Sequence, residues 1–186
     1  MFKNSGIARY RVFIGLAAFL AGCASAPIGQ PGGVGAQGQG SFLGAIHFSL
    51  GSLIAEGNVV LGNVDVVVTL SASGIPVVSC INQGGTQAPG QNPPKVSGAA
   101  SQLILHDVPI VKNGRSPFEV EANAQTSLSA KRLGCPNNNW TANIDFVFWD
   151  RATLTLTDNA SGAVLEQRDF SCVTTRNPDS VTCIQL

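Results

Sequence analysis

The stretch 140–157 reads W-T-A-N-I-D-F-V-F-W-D-R-A-T-L-T-L-T. Trp140, Ala142, Ile144, Phe146 and Phe148 alternate with Thr141, Asn143 and Asp145. Ala152, Leu154 and Leu156 then alternate with Thr153, Thr155 and Thr157. A period of two with a Thr, Phe and Leu bias predicts strands with one buried face. The same period appears elsewhere. Ile46, Phe48 and Leu50 alternate with His47 and Ser49, and Phe118, Val120 and Ala122 with Glu119, Glu121 and Asn123. Val64, Val66, Val68, Leu70 and Ala72 alternate with Asp65, Thr69 and Ser71. Shorter candidates are 59–61, 75–81, 102–106, 164–170 and 181–185; the mixed faces of 164–170 suit an edge.

Turn chemistry separates these runs. Ser73-Gly74 precedes one candidate, Lys112-Asn113-Gly114-Arg115 is a hairpin signal, and Asp158-Asn159-Ala160-Ser161-Gly162 joins two more. No window carries a helical stripe, although 126–133 has room for one helical turn before Gly134-Cys135-Pro136. About nine or ten short strands with frequent turns predict an all-β fold. The architecture expected is an antiparallel β-sandwich of immunoglobulin-like size, with a small β-barrel as the alternative.

The amino-terminal residues set the compartment. Lys3, Arg9 and Arg11 precede an apolar run at 12–20, and Leu20-Ala21-Gly22-Cys23 follows. The run is short for a membrane span, and the layout is that of a signal peptide. Leu20-Ala21-Gly22-Cys23 resembles the lipobox of bacterial lipoproteins. The resemblance implies a membrane anchor, with Cys23 as the first mature residue bearing lipid (palmitate among its acyl chains). Ala24, where an Asp favours inner-membrane retention, implies the outer membrane if the host is Gram-negative. The alternative is secretion as a soluble product after cleavage at Ala26, within Ala24-Ser25-Ala26. The predicted organisation is a signal peptide at 1–22, a flexible Gly/Gln/Pro tether at 23–41 and a single β domain at 42–186.

Removing residues 1–22 from 186 leaves 164 residues, enough for one domain that buries about two-thirds of its unfolded surface. Three of eleven basic residues leave with the signal, so eight basic against eleven acidic residues give a net charge of −3. That balance offers no basic patch for nucleic acid, and no nucleic-acid partner is expected. The only Tyr, Tyr10, leaves too. So aromatic-poor a chain is a weak candidate for sugar stacking. Four cysteines remain besides Cys23, and an even number in an exported protein reads as two disulfides. Of three pairings the preferred one joins Cys172 with Cys183, across a hairpin turning at Asn177-Pro178-Asp179, and leaves Cys80 with Cys135.

Two loops stand apart, 82–95 (N-Q-G-G-T-Q-A-P-G-Q-N-P-P-K) and 135–139 (C-P-N-N-N). Ala88-Pro89-Gly90-Gln91 fits a type II turn. A Cys80–Cys135 bond would bring both loops to one end of the fold. The candidate binding rim is then Asn82, Gln83, Gln87, Gln91, Asn92, Asn137, Asn138 and Asn139. Trp149 breaks the parity of Trp140 and is added as an exposed aromatic, the alternative being that it packs beneath a loop or against the next strand. C-x-N-Q-G-G-x-x-A-P-G-Q-N-P from Cys80, with G-C-P-N-N-N-W-T-A from Gly134, resembles an uncharacterised group of exported, β-rich bacterial proteins over residues 60–157. It implies a shared exported β domain and carries no activity with it.

Chemistry is sparse. No G-x-S-x-G or H-E-x-x-H is present, His47 reads as solvated, and His106 ends a strand beside Asp107. Glu119 and Glu121 share a strand face at a spacing that suits glycosidase carboxylates, or simply cover an outer face. Asp145, Asp150 and Arg151 read as a strand end with a surface ion pair. The 158–162 segment resembles half a calcium loop without the distal Glu. No catalytic residue, metal or cofactor is assigned. The expected role is that of a lipid-anchored envelope protein, structural or binding, whose partners are the membrane and an envelope protein or glycan. An apolar-ligand carrier and, behind it, a carboxylate-based hydrolase are the alternatives.

Overall fold

The computed structural model describes residues 40–50, 52–107, 114–124 and 127–186. The signal peptide, Cys23, the tether up to residue 39 and Lys112-Asn113 lie outside the described residues. Nine strands and no helix form among those described. They are β1 (Ser41–Leu50), β2 (Leu53–Val60), β3 (Val66–Ile81), β4 (Gln87–Pro89), β5 (Val96–Ile104), β6 (Arg115–Ala122), β7 (Thr141–Asp158), β8 (Val164–Thr175) and β9 (Ser180–Gln185). All pairings are antiparallel. One sheet has the order β1-β2-β6; the other runs β4-β3-β7-β8-β9, with β5 also on β3. The sheets do not close into a barrel, so the fold is the sandwich type.

β3 is the spine. Every second residue from Val66 to Cys80 is buried, without a break across Ser73-Gly74. The turn expected at Ser73-Gly74 is therefore absent: Gly74 lies inside a 16-residue strand. Its missing side chain is what the site needs, because a Cβ there would collide with the Phe148 carbonyl and Trp149 Cα. On one side β3 pairs with β5 through its first half and with β4 at its end; along the other side it pairs with β7 throughout. At about 3.3 Å per residue, β3 spans roughly 50 Å from Val66 to Ile81.

β7 explains why parity misled the sequence reading. Val77 pairs with Phe146 and Val78 with Ile144, so Asp145 is an extra residue; Ser73 pairs with Arg151 and Gly74 with Trp149, so Asp150 is a second. Each bulge shifts the alternation by one. Between them Val147 and Trp149 turn inward, while Phe146 and Phe148 move to the opposite face. After the second bulge Ala152, Leu154 and Leu156 are inward again. Trp149 is thus 2% exposed and belongs to the core, not to a surface rim. Asp145 and Asp150 sit within a strand rather than at its end, and Asp150 does form an ion pair, with Lys95.

Over 164–169 the strand pairs with β7 alone, because β9 joins β8 only from Phe170 to Thr175, so this part is an edge as expected. Its mixed faces have a local cause. Arg168 donates from Nη2 to the Phe42 carbonyl (2.9 Å) and from Nη1 to the Gly44 carbonyl (3.0 Å). Glu166 Oε2 accepts from the Phe42 N–H (2.6 Å), and its Oε1 accepts from Arg168 Nε (2.7 Å). This ion pair bonds the β1 backbone as a neighbouring strand would. It fastens one sheet to the other close to Gly40, which is buried rather than part of the tether. Elsewhere the inner faces are packed with Leu53, Val59, Leu70, Leu154, Phe118 and similar side chains. Cys172 and Cys183 are directly opposed and bonded across β8 and β9. The first flank of the expected hairpin at 112–115 lies outside the described residues; β6, which follows Gly114, pairs with β2.

Candidate functional site: the loop rim

Cys80 and Cys135 are bonded, with Cα atoms 5.6 Å apart, so the second cysteine pair also forms as expected. The closure spans 55 residues and, on the chain-entropy model, contributes about 4 kcal/mol. It gathers the two loops at the Ile81 end of β3. Gly40 packs at the other end, where a Cβ on it would lie 3.0 Å from Val66.

The first loop is a tight turn into β4. Asn82 Oδ1 accepts from the N–H groups of Gly84 (2.9 Å) and Thr86 (2.8 Å), while the Asn82 N–H donates to the Thr86 carbonyl (3.0 Å). Gly85 supplies the left-handed corner, with φ +79°. The type II turn expected at 88–91 does not form. Gln87–Pro89 pairs with β3 instead, and the Gly90 N–H continues that ladder to the Val78 carbonyl (2.7 Å).

The second loop begins with the helical turn that 126–133 was expected to hold. The Leu133 N–H donates to Ser129, Gly134 to Lys131 and Cys135 to Ala130, and Gly134 has φ +91°. The last two bonds and the left-handed glycine form a Schellman stop. Leu133 is buried and pins the turn to the core. The Gln91 N–H donates to the Gly134 carbonyl (2.9 Å), stitching the loops together beside the disulfide. Asn138 Oδ1 accepts from the Lys131 N–H (3.1 Å), and Asn137 Oδ1 from the Asn139 N–H (2.9 Å).

Between the loops lies a shallow cleft of about 210 Å³, lined by Asn82, Gln83, Gly84, Asn137, Asn139 and Trp140. Trp140 is half-buried, with part of its body packed against the core. It is the aromatic of the rim, in the place expected for Trp149. Gln87, Gln91, Asn92 and Asn138 are exposed but do not line the cleft.

Two further clusters were not visible as such in the sequence. His47 pairs with Glu56 and Glu56 with Glu119 across β1, β2 and β6, placing two carboxylates side by side over a solvent-open hollow. Glu121 is exposed on the same face and bonded to Ser52. At the Val66 end, Asp65 Oδ1 accepts from the His106 N–H (2.9 Å) and lies 2.7 Å from its Nδ1. These bonds from His106 hold the Asp65 carboxyl below its usual range. Asp107 lies close enough to make a three-residue cluster. In the 158–162 turn, Asp158 Oδ1 accepts from the Ala160 and Ser161 N–H groups and the Ser161 hydroxyl, which lowers its pKa and engages the oxygen a cation would need.

Comparison of the chain with protein-family models, curated proteins and solved structures returns no match.

Proposed function

We propose that this chain is a lipid-anchored protein of the bacterial cell envelope that acts by contact, through the loop rim, and performs no reaction. The lipobox-like Leu20-Ala21-Gly22-Cys23 supports the anchor, and two disulfides suit an oxidising compartment. One observation carries the reading. The first described residue, Gly40, packs at the Val66 end of β3, and the amide-rich rim lies at the Ile81 end, roughly 50 Å along the strand. A leader tied to a bilayer would join the domain at the end opposite the rim, leaving the rim free for contact. The rim itself is cross-linked, hydrogen-bonded and amide-rich, which suits a rigid recognition surface. The apolar-ligand carrier draws no support from inner faces filled by Leu, Val and Phe side chains.

Replacing 82–95 by a short Gly/Ser linker in the full chain tests the rim. Loss of the partner captured from envelope extracts by the wild-type protein is expected, with β1, β2 and β6 intact by amide NMR. Undiminished capture would refute a rim-based role.

A further inference from the structure

We infer that the cleft over Trp140 is a binding site for a neutral sugar residue of an envelope polysaccharide. The inference deepens the rim-contact reading and rests on it. Three observations converge. First, none of the six residues lining the cleft is ionisable, so no charge in the lining favours a charged ligand over a neutral one. Second, the amides are oriented. The Oδ1 atoms of Asn82 and Asn137 accept from loop N–H groups, which fixes both side-chain amides and leaves their Nδ2 groups as the donors for a ligand. Asn139 and Gln83 side chains are exposed, with both donor and acceptor open. A ring of hydroxyls, each both donor and acceptor, matches such a set; a carboxylate would leave the amide acceptors unmatched. Third, the one aromatic in the cleft is an indole. Its negative π face attracts the weakly positive C–H edge of a pyranose, and its apolar body gains from losing water.

The size of the cleft limits the ligand. At about 210 Å³ it falls below the roughly 300–1,000 Å³ of pockets that enclose a drug-sized ligand. It has room for about one ring of a chain, and at roughly −0.3 kcal/mol per non-hydrogen atom a single ring is expected to bind with a Kd on the order of millimolar. Many anchored copies facing one polysaccharide would supply the avidity. The scarcity of aromatics, which argues against sugar binding in the sequence, here limits strength rather than chemistry.

The test titrates the full-length oxidised protein with neutral hexose and N-acetylhexosamine oligosaccharides, carried well above the millimolar range. Tryptophan fluorescence and the indole N–H resonances give the readout. Trp149 is buried and serves as the unresponsive reference. A saturable shift of Trp140 alone is expected, weakened about tenfold or more by Trp140→Ala. Asn139→Ala removes an exposed side chain that holds no part of the fold and is expected to weaken binding severalfold with unchanged melting. Silence across the whole series, a shift that survives both substitutions, or saturable binding of peptides in place of sugars would overturn the inference. If sugars fail while rim-dependent capture of an envelope partner persists, the sugar assignment falls and the contact role stands.

Discussion

The two ends of β3 are held by different chemistry. At the Val66 end the fastenings are charged: Asp65 with His106, Glu166 with Arg168, and Asp158 closing its own turn. At the Ile81 end they are covalent and neutral: the Cys80–Cys135 bond, the Gln91–Gly134 backbone bond and the asparagine turns. One strand thus joins an end that answers to acid with an end that answers to reductant. In the proposed role, the first end would position the chain and the second would present a surface.

Breaking the rim tests the comparison hardest. The double variant Cys80→Ser/Cys135→Ser removes a closure that contributes about 4 kcal/mol, and chemical denaturation should show a loss of that order. The loops at 82–92 and 131–139 should lose hydrogen-exchange protection before the β1–β2 pair does. The two tryptophans sharpen the contrast between core and rim. Trp149→Ala opens a cavity between the sheets and should cost about 3–5 kcal/mol. Trp140→Ala, at a half-buried position, should cost less than half of that, measured in the same denaturant series.

Arg168→Ala breaks the charged fastening between the sheets. The Arg168 and Glu166 side chains are 17% and 26% exposed, and the guanidinium also serves two carbonyls. A loss of about 2 kcal/mol is expected, with faster amide exchange at Phe42 and no change at the rim. His106→Ala should have the smallest effect. Asp65 has a lowered pKa in the folded chain, so its stabilising contribution is complete above the unfolded carboxyl value and disappears as pH falls through the folded one. Without His106 the Asp65 carboxyl should titrate closer to an ordinary aspartate in a carbon-detected NMR titration, and acid unfolding should begin at slightly higher pH.

The sequence shows the fold class and both disulfides because these rest on local signals: alternation, turn residues and cysteine parity. It obscures what depends on register. Asp145 and Asp150 look like the polar end of a strand, yet each is a bulge that moves its neighbours to the other face. That exchange puts Trp149 inside and leaves Trp140 as the rim aromatic. Gly74 looks like a turn because glycine commonly makes one; here it admits the Phe148 backbone at close range. Gly51-Ser52 is a two-residue hairpin signal. β1 and β2 pair from Leu50 opposite Leu53, extending a strand of which only 59–61 stood out. The rim amides are legible as composition. Their orientation is not, because it depends on which loop N–H groups each oxygen accepts. Glu56 joins His47 and Glu119 only through cross-strand pairing over 9 and 63 residues of separation, which no local pattern reports.

The account depends most on what the chain is fastened to. Mass spectrometry of the mature protein from its native membrane addresses this directly. It should find an amino-terminal peptide beginning at Cys23 with diacylglycerol on the sulfur, in a chain whose other four cysteines are oxidised. An unmodified amino terminus at Pro27, or free thiols at Cys80 and Cys135, would contradict it.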